Sequence, residues 1–144
     1  MRLTTITFHA NVTQCLGSIN GQRWYLGVAP STIVDKKDCS CDCDGHAQLK
    51  KGKGGLVFSP PAPEDIQLFR VEGPQFLKLH VGTWHAGPVF QESFMDFYNL
   101  ELSDTNVRFH HFESLTFTVP SCFVLVVTVF WCHVTFILLS ISRL

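Results

Sequence analysis

The chain has 144 residues, a formal net charge of −1 and a pI near 6.6. This length is sufficient for one domain with a hydrophobic core, and the charge excludes the strongly basic surface expected of a nucleic-acid-binding protein. The six cysteines are unevenly spaced, and the first ten residues contain no apolar signal-peptide core. We therefore expect reduced thiols in an intracellular, cytoplasmic protein.

Residues 1–29 predict a strand, a turn and a second strand. Leu3, Ile6 and Phe8 are interspersed with threonines, and β-branched residues favour extended structure. Asn20-Gly21 is a strong signal for a tight turn between two strands. The apolar segment that follows, WYLGV at residues 24–28, predicts a buried strand.

Residues 31–55 predict a long variable loop, because they are polar, rich in glycine and without periodicity. Three cysteines and a histidine in this loop have the spacing C-x-C-x-C-x-x-H. This spacing lacks the paired C-x-x-C of structural zinc sites, so we favour a solvated turn over a zinc site. The four residues concerned are Cys39, Cys41, Cys43 and His46.

Short strand patterns resume after the loop. Prolines end the first of these strands, within residues 56–63, early. Gly87 and Pro88 predict a turn before the last predicted strand, residues 94–102. We find no amphipathic helix before residue 106, so the pattern predicts an all-β fold, either a sandwich or a small barrel. The predicted strands span residues 56–63, 64–71, 76–81 and 94–102.

The break in strand alternation at Gly82 concentrates chemically active side chains. His80, Thr83, Trp84 and His85 lie within six positions. Imidazoles serve in general acid–base catalysis or as metal ligands, so this cluster predicts a small-molecule site. The alternative is one surface histidine and one core histidine.

Other polar residues are candidates to complete the site. His9 and Gln14, near the first strand, would face the cluster if both lie inside the mouth of one barrel. Lys78, on the same strand face as His80, would neutralise a carboxylate. Polar residues at the end of the last predicted strand are candidates for hydrogen bonding, namely Glu101, Asp104 and Asn106.

Residues 107–144 form a hydrophobic tail that does not continue the pattern of the domain. Residues 114–142 contain no Asp, Glu, Lys or Arg. The run 122–140 meets the length criterion for a membrane span. Two origins stay open: a C-terminal membrane anchor, or non-coding sequence that has been translated.

Three stretches carry a resemblance to a known family: HANVTQCLGSINGQRWYLGVA, FRVEGPQFLKLHVGTWHAGPVF and MDFYNLELSDTN. Together they resemble the ureidoglycolate lyase (ureidoglycolate hydrolase) family in its plant form, over residues 2–106 apart from the variable loop. The resemblance implies a cupin-like barrel, a double-stranded β-helix, that is typically a homodimer. It also implies cleavage of ureidoglycolate to glyoxylate and urea in allantoin breakdown, the last part of purine catabolism.

The resemblance assigns roles to the candidate residues. It implies catalysis by His80 and His85 and substrate binding by four other candidates, and Lys78 joins the latter because of its charge. A barrel of this type would alternatively hold a divalent metal on its histidines. The implied substrate-binding residues are His9, Gln14, Lys78, Thr83 and Trp84.

The chain departs from the family pattern at both ends. Family members have a segment before the strand that begins here at Met1, and a polar segment after SDTN where this chain becomes hydrophobic. We therefore expect an incomplete cupin-like domain at 1–106. Two alternative interpretations are a catalytically inactive cupin-like fragment and a membrane-anchored β-domain.

Overall fold

The computed structural model describes residues 2–34 and 49–102, together with the backbone of three later strands. Its regular structure consists of β-strands and two short 3-10 helices, Lys53–Gly55 and Pro63–Asp65. The all-β prediction is therefore confirmed. The strands are β1 (Arg2–His9), β2 (Gln14–Ser18), β3 (Trp24–Ala29), β4 (Ile33–Val34), β5 (Lys50–Lys51), β6 (Val57–Phe58), β7 (Gln67–Val71), β8 (Leu77–Leu79), β9 (Trp84–Val89), β10 (Asp96–Leu100), β11 (His110–Thr118), β12 (Val124–Val126) and β13 (Ser140–Arg143).

The described strands form three sheets. The large sheet has the order β11-β1-β9-β3-β7-β12, the four-stranded sheet the order β13-β10-β2-β8, and the three-stranded sheet the order β4-β6-β5. Neighbouring strands are antiparallel, except that β12 runs parallel to β7. Because antiparallel neighbours allow short connections, this arrangement suits a chain with frequent turns.

The large sheet is covered on both faces, because side chains along each strand point alternately to opposite sides. In β3, Tyr25 packs against one apolar cluster, whereas Trp24 and Leu26 belong to another. The first cluster includes Phe58 of the three-stranded sheet, and the second includes Phe97 of the four-stranded sheet. The large sheet is therefore the central layer between two hydrophobic cores.

Trp84 lies in the first core. Its ring centroid is 4.4 Å from that of Phe8 and 5.7 Å from that of Phe58, and its side chain is completely buried. Its indole Nε1 donates a hydrogen bond to Thr32 Oγ1 at 2.8 Å, which satisfies the buried polar atom. Trp84 therefore packs inside the protein, in the first core.

The prediction of a turn at Gly87 and Pro88 is wrong. Both residues lie within β9, joined by a cis peptide bond, and Gly87 has a φ of 115°. The register between β3 and β9 shifts between Tyr25 and Gly27, directly opposite this segment. A bulge therefore accommodates glycine and proline inside the strand, where sequence reasoning expected the chain to reverse.

The ends of the predicted loop 31–55 have regular structure of their own. Ile33 pairs with Phe58 and Lys50 also pairs with Phe58, so β4 and β5 flank β6. Residues 35–48, which include the cysteine-rich segment, lie outside the described residues. Sequence reasoning missed these strands because two-residue strands leave no periodic pattern.

Three strands from the tail lie at sheet edges. The backbone of β11 pairs with β1 from Arg2–Thr118 to His9–His110, and β13 pairs with β10. Backbone pairing depends little on side-chain type, so a tail without a strand-like alternation still extends a sheet. The edge of β1 is thereby covered.

Among the described residues, no helix has the length and apolar character needed to cross a membrane. Most of the predicted span at 122–140 lies outside the residues that the structure describes; of the span, Val124–Val126 form β12 and Ser140 begins β13.

We predict that Trp84→Phe lowers the free energy of unfolding by about 1 kcal/mol more than Trp24→Phe does. Both tryptophans are fully buried and both changes remove the same atoms, but only Trp84 donates a hydrogen bond to Thr32. The indole nitrogen of Trp24 has no hydrogen-bond partner among the described residues. Urea unfolding of both variants measures the difference, and equal losses would contradict the assigned role of the Thr32 contact.

Candidate functional site

Polar side chains collect at one end of the space between the large and four-stranded sheets. The strand ends that meet there are the end of β1, the start of β9, the start of β2 and the end of β10. The rest of that space is filled by the second hydrophobic core. The polar residues are His9, Gln14, His85, Asn99 and Glu101.

The turn at Gly82 brings the start of β9 beside the end of β1. Gly82 has a φ of 79°, a backbone conformation that favours glycine, and its N–H donates to the His9 carbonyl at 2.9 Å. Thr7 pairs directly with His85. Because His9 is two residues beyond Thr7, it lies on the same face of the large sheet as His85.

His9 and His85 contact one another. Their ring centroids are 5.2 Å apart and their planes are inclined by 46°. The two residues are only 5% and 6% exposed, so water has little access to either ring. The prediction that imidazoles from the first strand and from the central turn converge is confirmed for this pair.

The backbone determines the tautomer of neutral His85. Its Nδ1 lies 3.1 Å from the carbonyl oxygen of Thr83. A carbonyl oxygen only accepts hydrogen bonds, so Nδ1 carries the hydrogen and the lone pair of the neutral ring is on Nε2. This arrangement suits a general base that acts through Nε2.

A carboxylate adjoins His9 from the other sheet. Glu101 Oε2 lies 3.9 Å from His9 Nε2, and the Glu101 side chain is 13% exposed. A negative charge at this distance, away from bulk water, favours the protonated form of an imidazole. The two histidines therefore have different surroundings, a carboxylate beside His9 and a carbonyl oxygen beside His85.

Gln14 connects the carboxylate to the rest of the cluster. Its Nε2 donates to Asn99 Oδ1 at 2.9 Å and to Glu101 Oε2 at 3.2 Å. Gln14 is 8% exposed. Its place in the site agrees with the sequence prediction, which paired it with His9.

Sequence reasoning gave Glu101 only a general hydrogen-bonding role and missed Asn99. A signal was nevertheless present, because residues 97, 99 and 101 lie on one face of an extended strand. Phe97 is completely buried in the second core. Polar residues two and four positions after a core aromatic therefore also point into the interior, where they require partners.

Three of the sequence-predicted site residues lie elsewhere. Trp84 belongs to the first core, on the face of the large sheet opposite to His85. Lys78 is exposed and pairs with Cys15, whereas its neighbour Leu79 is buried in the second core. Lys78 therefore lies on the outer face of the four-stranded sheet.

His80 is exposed in the turn after β8, where its carbonyl accepts from Thr83 N–H at 3.1 Å. The sequence predicts His80 and His85 as a pair, but the imidazole in contact with His85 is that of His9.

Thr83 lines a cleft of about 430 Å³ at the same end of the large sheet. Val28, which pairs with His85 across the strands, lines it as well. Glu64 and Asp65 also line the cleft, and among the described residues no Lys or Arg does so. Neither His9 nor His85 is among the residues that line the cleft.

Within the part of the chain that the structure describes, no group of three or more His, Cys, Asp and Glu side chains is arranged to hold a metal ion. The cysteine-rich segment of the loop, Cys39 to His46, lies outside that part, as do Asp104 and Asn106.

Comparison of the chain with protein-family models, with curated proteins and with solved structures finds no significant match.

We predict that Gly82→Ala lowers the free energy of unfolding by about 2–3 kcal/mol, and Gly55→Ala by about 1 kcal/mol. Both glycines have positive φ, 79° and 73°. A Cβ at Gly82 would also meet the Ser31 hydroxyl and approach Ile33 Cδ1 to 2.8 Å, whereas a Cβ at Gly55 would have nothing within 4 Å. Denaturant unfolding measures both variants, and equal losses would show that the packing around Gly82 does not constrain the turn.

Proposed function

We propose that the chain is a cupin-like ureidoglycolate lyase, which cleaves ureidoglycolate to glyoxylate and urea. The observation that carries the proposal is the buried contact between His9 and His85, whose ring centroids are 5.2 Å apart. The resemblance of the sequence to that family supplies the substrate, and the geometry supplies side chains of the kind that the reaction needs.

The reaction requires two proton transfers. Ureidoglycolate has a hydroxyl, a carboxylate and a urea nitrogen on one carbon. A base removes the hydroxyl proton while the C–O bond becomes a carbonyl and the C–N bond breaks. An acid protonates the departing nitrogen, so that the products are glyoxylate and urea. Two imidazoles, one neutral and one protonated, meet this requirement near neutral pH.

The surroundings of the two rings suggest which performs each transfer. Glu101 lies near His9 and favours its imidazolium form, so we assign His9 as the acid. The Thr83 carbonyl keeps the hydrogen of neutral His85 on Nδ1, so we assign His85 as the base through Nε2. After one turnover, His9 has lost a proton and His85 has gained one, so transfer of one proton from His85 to His9 restores both.

The arrangement of the sheets supports the cupin-like part of the proposal. A cupin barrel consists of two facing antiparallel sheets whose interior is apolar except for a polar site near one end. The large and four-stranded sheets pack through the second core, and the polar cluster lies at one end of that core. The two halves of the proposed site come from different sheets, as in a barrel mouth.

Substrate binding in this proposal involves residues from both sheets. Gln14 binds the ureido group, and the hydroxyl of Thr83, at the edge of the cleft, binds the substrate near the reacting carbon. Lys78 has no part in this assignment, because it is exposed on the outer face. The imidazolium of His9 provides the positive charge that attracts the substrate carboxylate.

A divalent metal is the alternative source of catalysis, since it would polarise the substrate hydroxyl as a Lewis acid. Among the described residues, the His, Asp and Glu side chains do not form a group that fits a metal ion. Glu101 Oε2 accepts a hydrogen bond from Gln14 and faces His9. We therefore propose proton transfer between side chains and substrate, with no step through a metal.

We predict that His85→Gln and His9→Gln each lower kcat for ureidoglycolate cleavage by about 10²–10⁴-fold, the usual contribution of a general acid or base. Glutamine retains much of the size and polarity of histidine but does not exchange a proton near neutral pH. Release of glyoxylate and urea by the purified chain measures the effect.

Glu92→Gln is the matched control for these variants, because Glu92 is exposed in the turn before β10 and contacts only Gln91 N–H in the described structure. We expect its kcat to equal that of the wild type. Thermal unfolding of each variant shows whether the fold is retained. A folded His85→Gln protein with wild-type turnover would refute the assigned base.

We further expect turnover to persist after exhaustive chelation of divalent ions, because the proposed proton transfers need only protein side chains. The measurement compares kcat before chelation, after chelation, and after each divalent ion is added back. Loss of activity that a single ion restores would replace this mechanism with the metal-dependent one.

A further inference from the structure

Gln14 has a polar atom that the described structure does not use. Its Oε1 is buried and has no hydrogen-bond partner among the described residues, although the whole residue is 8% exposed. A buried acceptor without a partner is costly, so such atoms in folded proteins usually bond to water or to a ligand. The unused atom lies in the same cluster as the imidazole pair.

The orientation of the Gln14 amide follows from its neighbours. Glu101 offers a carboxylate, which only accepts hydrogen bonds, so the NH₂ end of the amide must face it. The second hydrogen of Nε2 is donated to Asn99 Oδ1. Both donors of the amide are thus occupied, and the group that remains for a ligand is an acceptor.

We propose that Glu101 and Asn99 are positioning residues that hold Gln14 with Oε1 toward the ligand, so that the site selects a group with N–H donors, such as a urea or a primary amide. This inference deepens the proposed function and rests on it for the identity of the donor, the ureido end of the substrate. A carboxylate, which has no hydrogen to donate, is repelled by Gln14 Oε1. The substrate therefore binds with its ureido group at Gln14.

Glu101 is the residue on which this orientation depends. Glu101→Gln replaces the carboxylate with an amide of the same size, which can donate to Gln14 Oε1. The Gln14 amide is then no longer held in one orientation, because either end of it can hydrogen-bond with the new amide at position 101. Gln14→Met removes the amide while keeping the length of the side chain.

The test uses three ligands of nearly equal shape that are not substrates for cleavage. Hydantoate (N-carbamoylglycine) has the ureido group, N-acetylglycine has one N–H in the same place, and levulinate has none; all three keep a carbonyl and a carboxylate. Calorimetry or ligand-observed NMR with the full chain measures their affinities. For the wild type we expect hydantoate to bind about three- to tenfold more tightly than levulinate, the range of one or two hydrogen bonds, with N-acetylglycine between them.

In Glu101→Gln and in Gln14→Met we expect the ratio of the two affinities to fall close to one, whereas the control Glu92→Gln retains the wild-type ratio. Thermal unfolding confirms that each variant is folded, and Gln14→Met decides the question if Glu101→Gln does not fold. A wild-type ratio of one, or an unchanged ratio in a folded Glu101→Gln or Gln14→Met protein, would overturn the inference.

Turnover of ureidoglycolate is measured separately, so that the two proposals fail independently. If the wild type prefers hydantoate and Glu101→Gln loses that preference, but the wild type does not cleave ureidoglycolate, the role of Glu101 stands and the lyase assignment falls. If it cleaves ureidoglycolate without this preference, the lyase assignment stands and the role of Glu101 falls.

Discussion

The alternation of side chains along β1 and β9 is the constraint on which both the packing and the site depend. Phe8 and Trp84 point to one face of the large sheet, where their ring centroids are 4.4 Å apart. Their neighbours His9 and His85 point to the other face, 5.2 Å apart. A slip of one residue in either strand would exchange a core aromatic for a histidine, so the hydrophobic core that locks the register also brings the imidazoles together.

The chemistry of the site comes from the different groups that face two otherwise similar rings. A carboxylate from the four-stranded sheet lies near His9, and a backbone carbonyl from the turn accepts from His85. Neither group is itself proposed to exchange protons with the substrate. The carboxylate favours the protonated form of His9, and the carbonyl fixes the tautomer of neutral His85, an arrangement that suits a reaction with one acid and one base. The same carboxylate also orients Gln14, so one side chain links proton transfer and ligand recognition.

Much of this arrangement follows from sequence patterns, and the exceptions have physical reasons. The all-β class was predictable from strand periodicity, and the proximity of His9, Gln14 and His85 followed from the assumption that their strands lie at one end of a small barrel. The placement of Trp84 was not, because adjacent residues in a strand face opposite ways even when they look like one motif. Nor was the continuation of β9 through Gly87 and Pro88, since a bulge depends on the partner strand. Lys78 looked suitable by its charge, but its face of the four-stranded sheet is the outer one.

The division of the large sheet between two cores separates two kinds of evolutionary change. Residues that pack against Trp84 lie on one side of the sheet, and the residues around the imidazole pair lie on the other. Substitutions near Gln14 or Asn99 therefore leave the packing around Trp84 untouched, while insertions before β9 disturb both sides at once. Evolution toward a new substrate would therefore change side chains around the imidazole pair and preserve the spacing from Gly82 to His85. A mutant library designed to change substrate specificity would be most productive if it varied those same side chains.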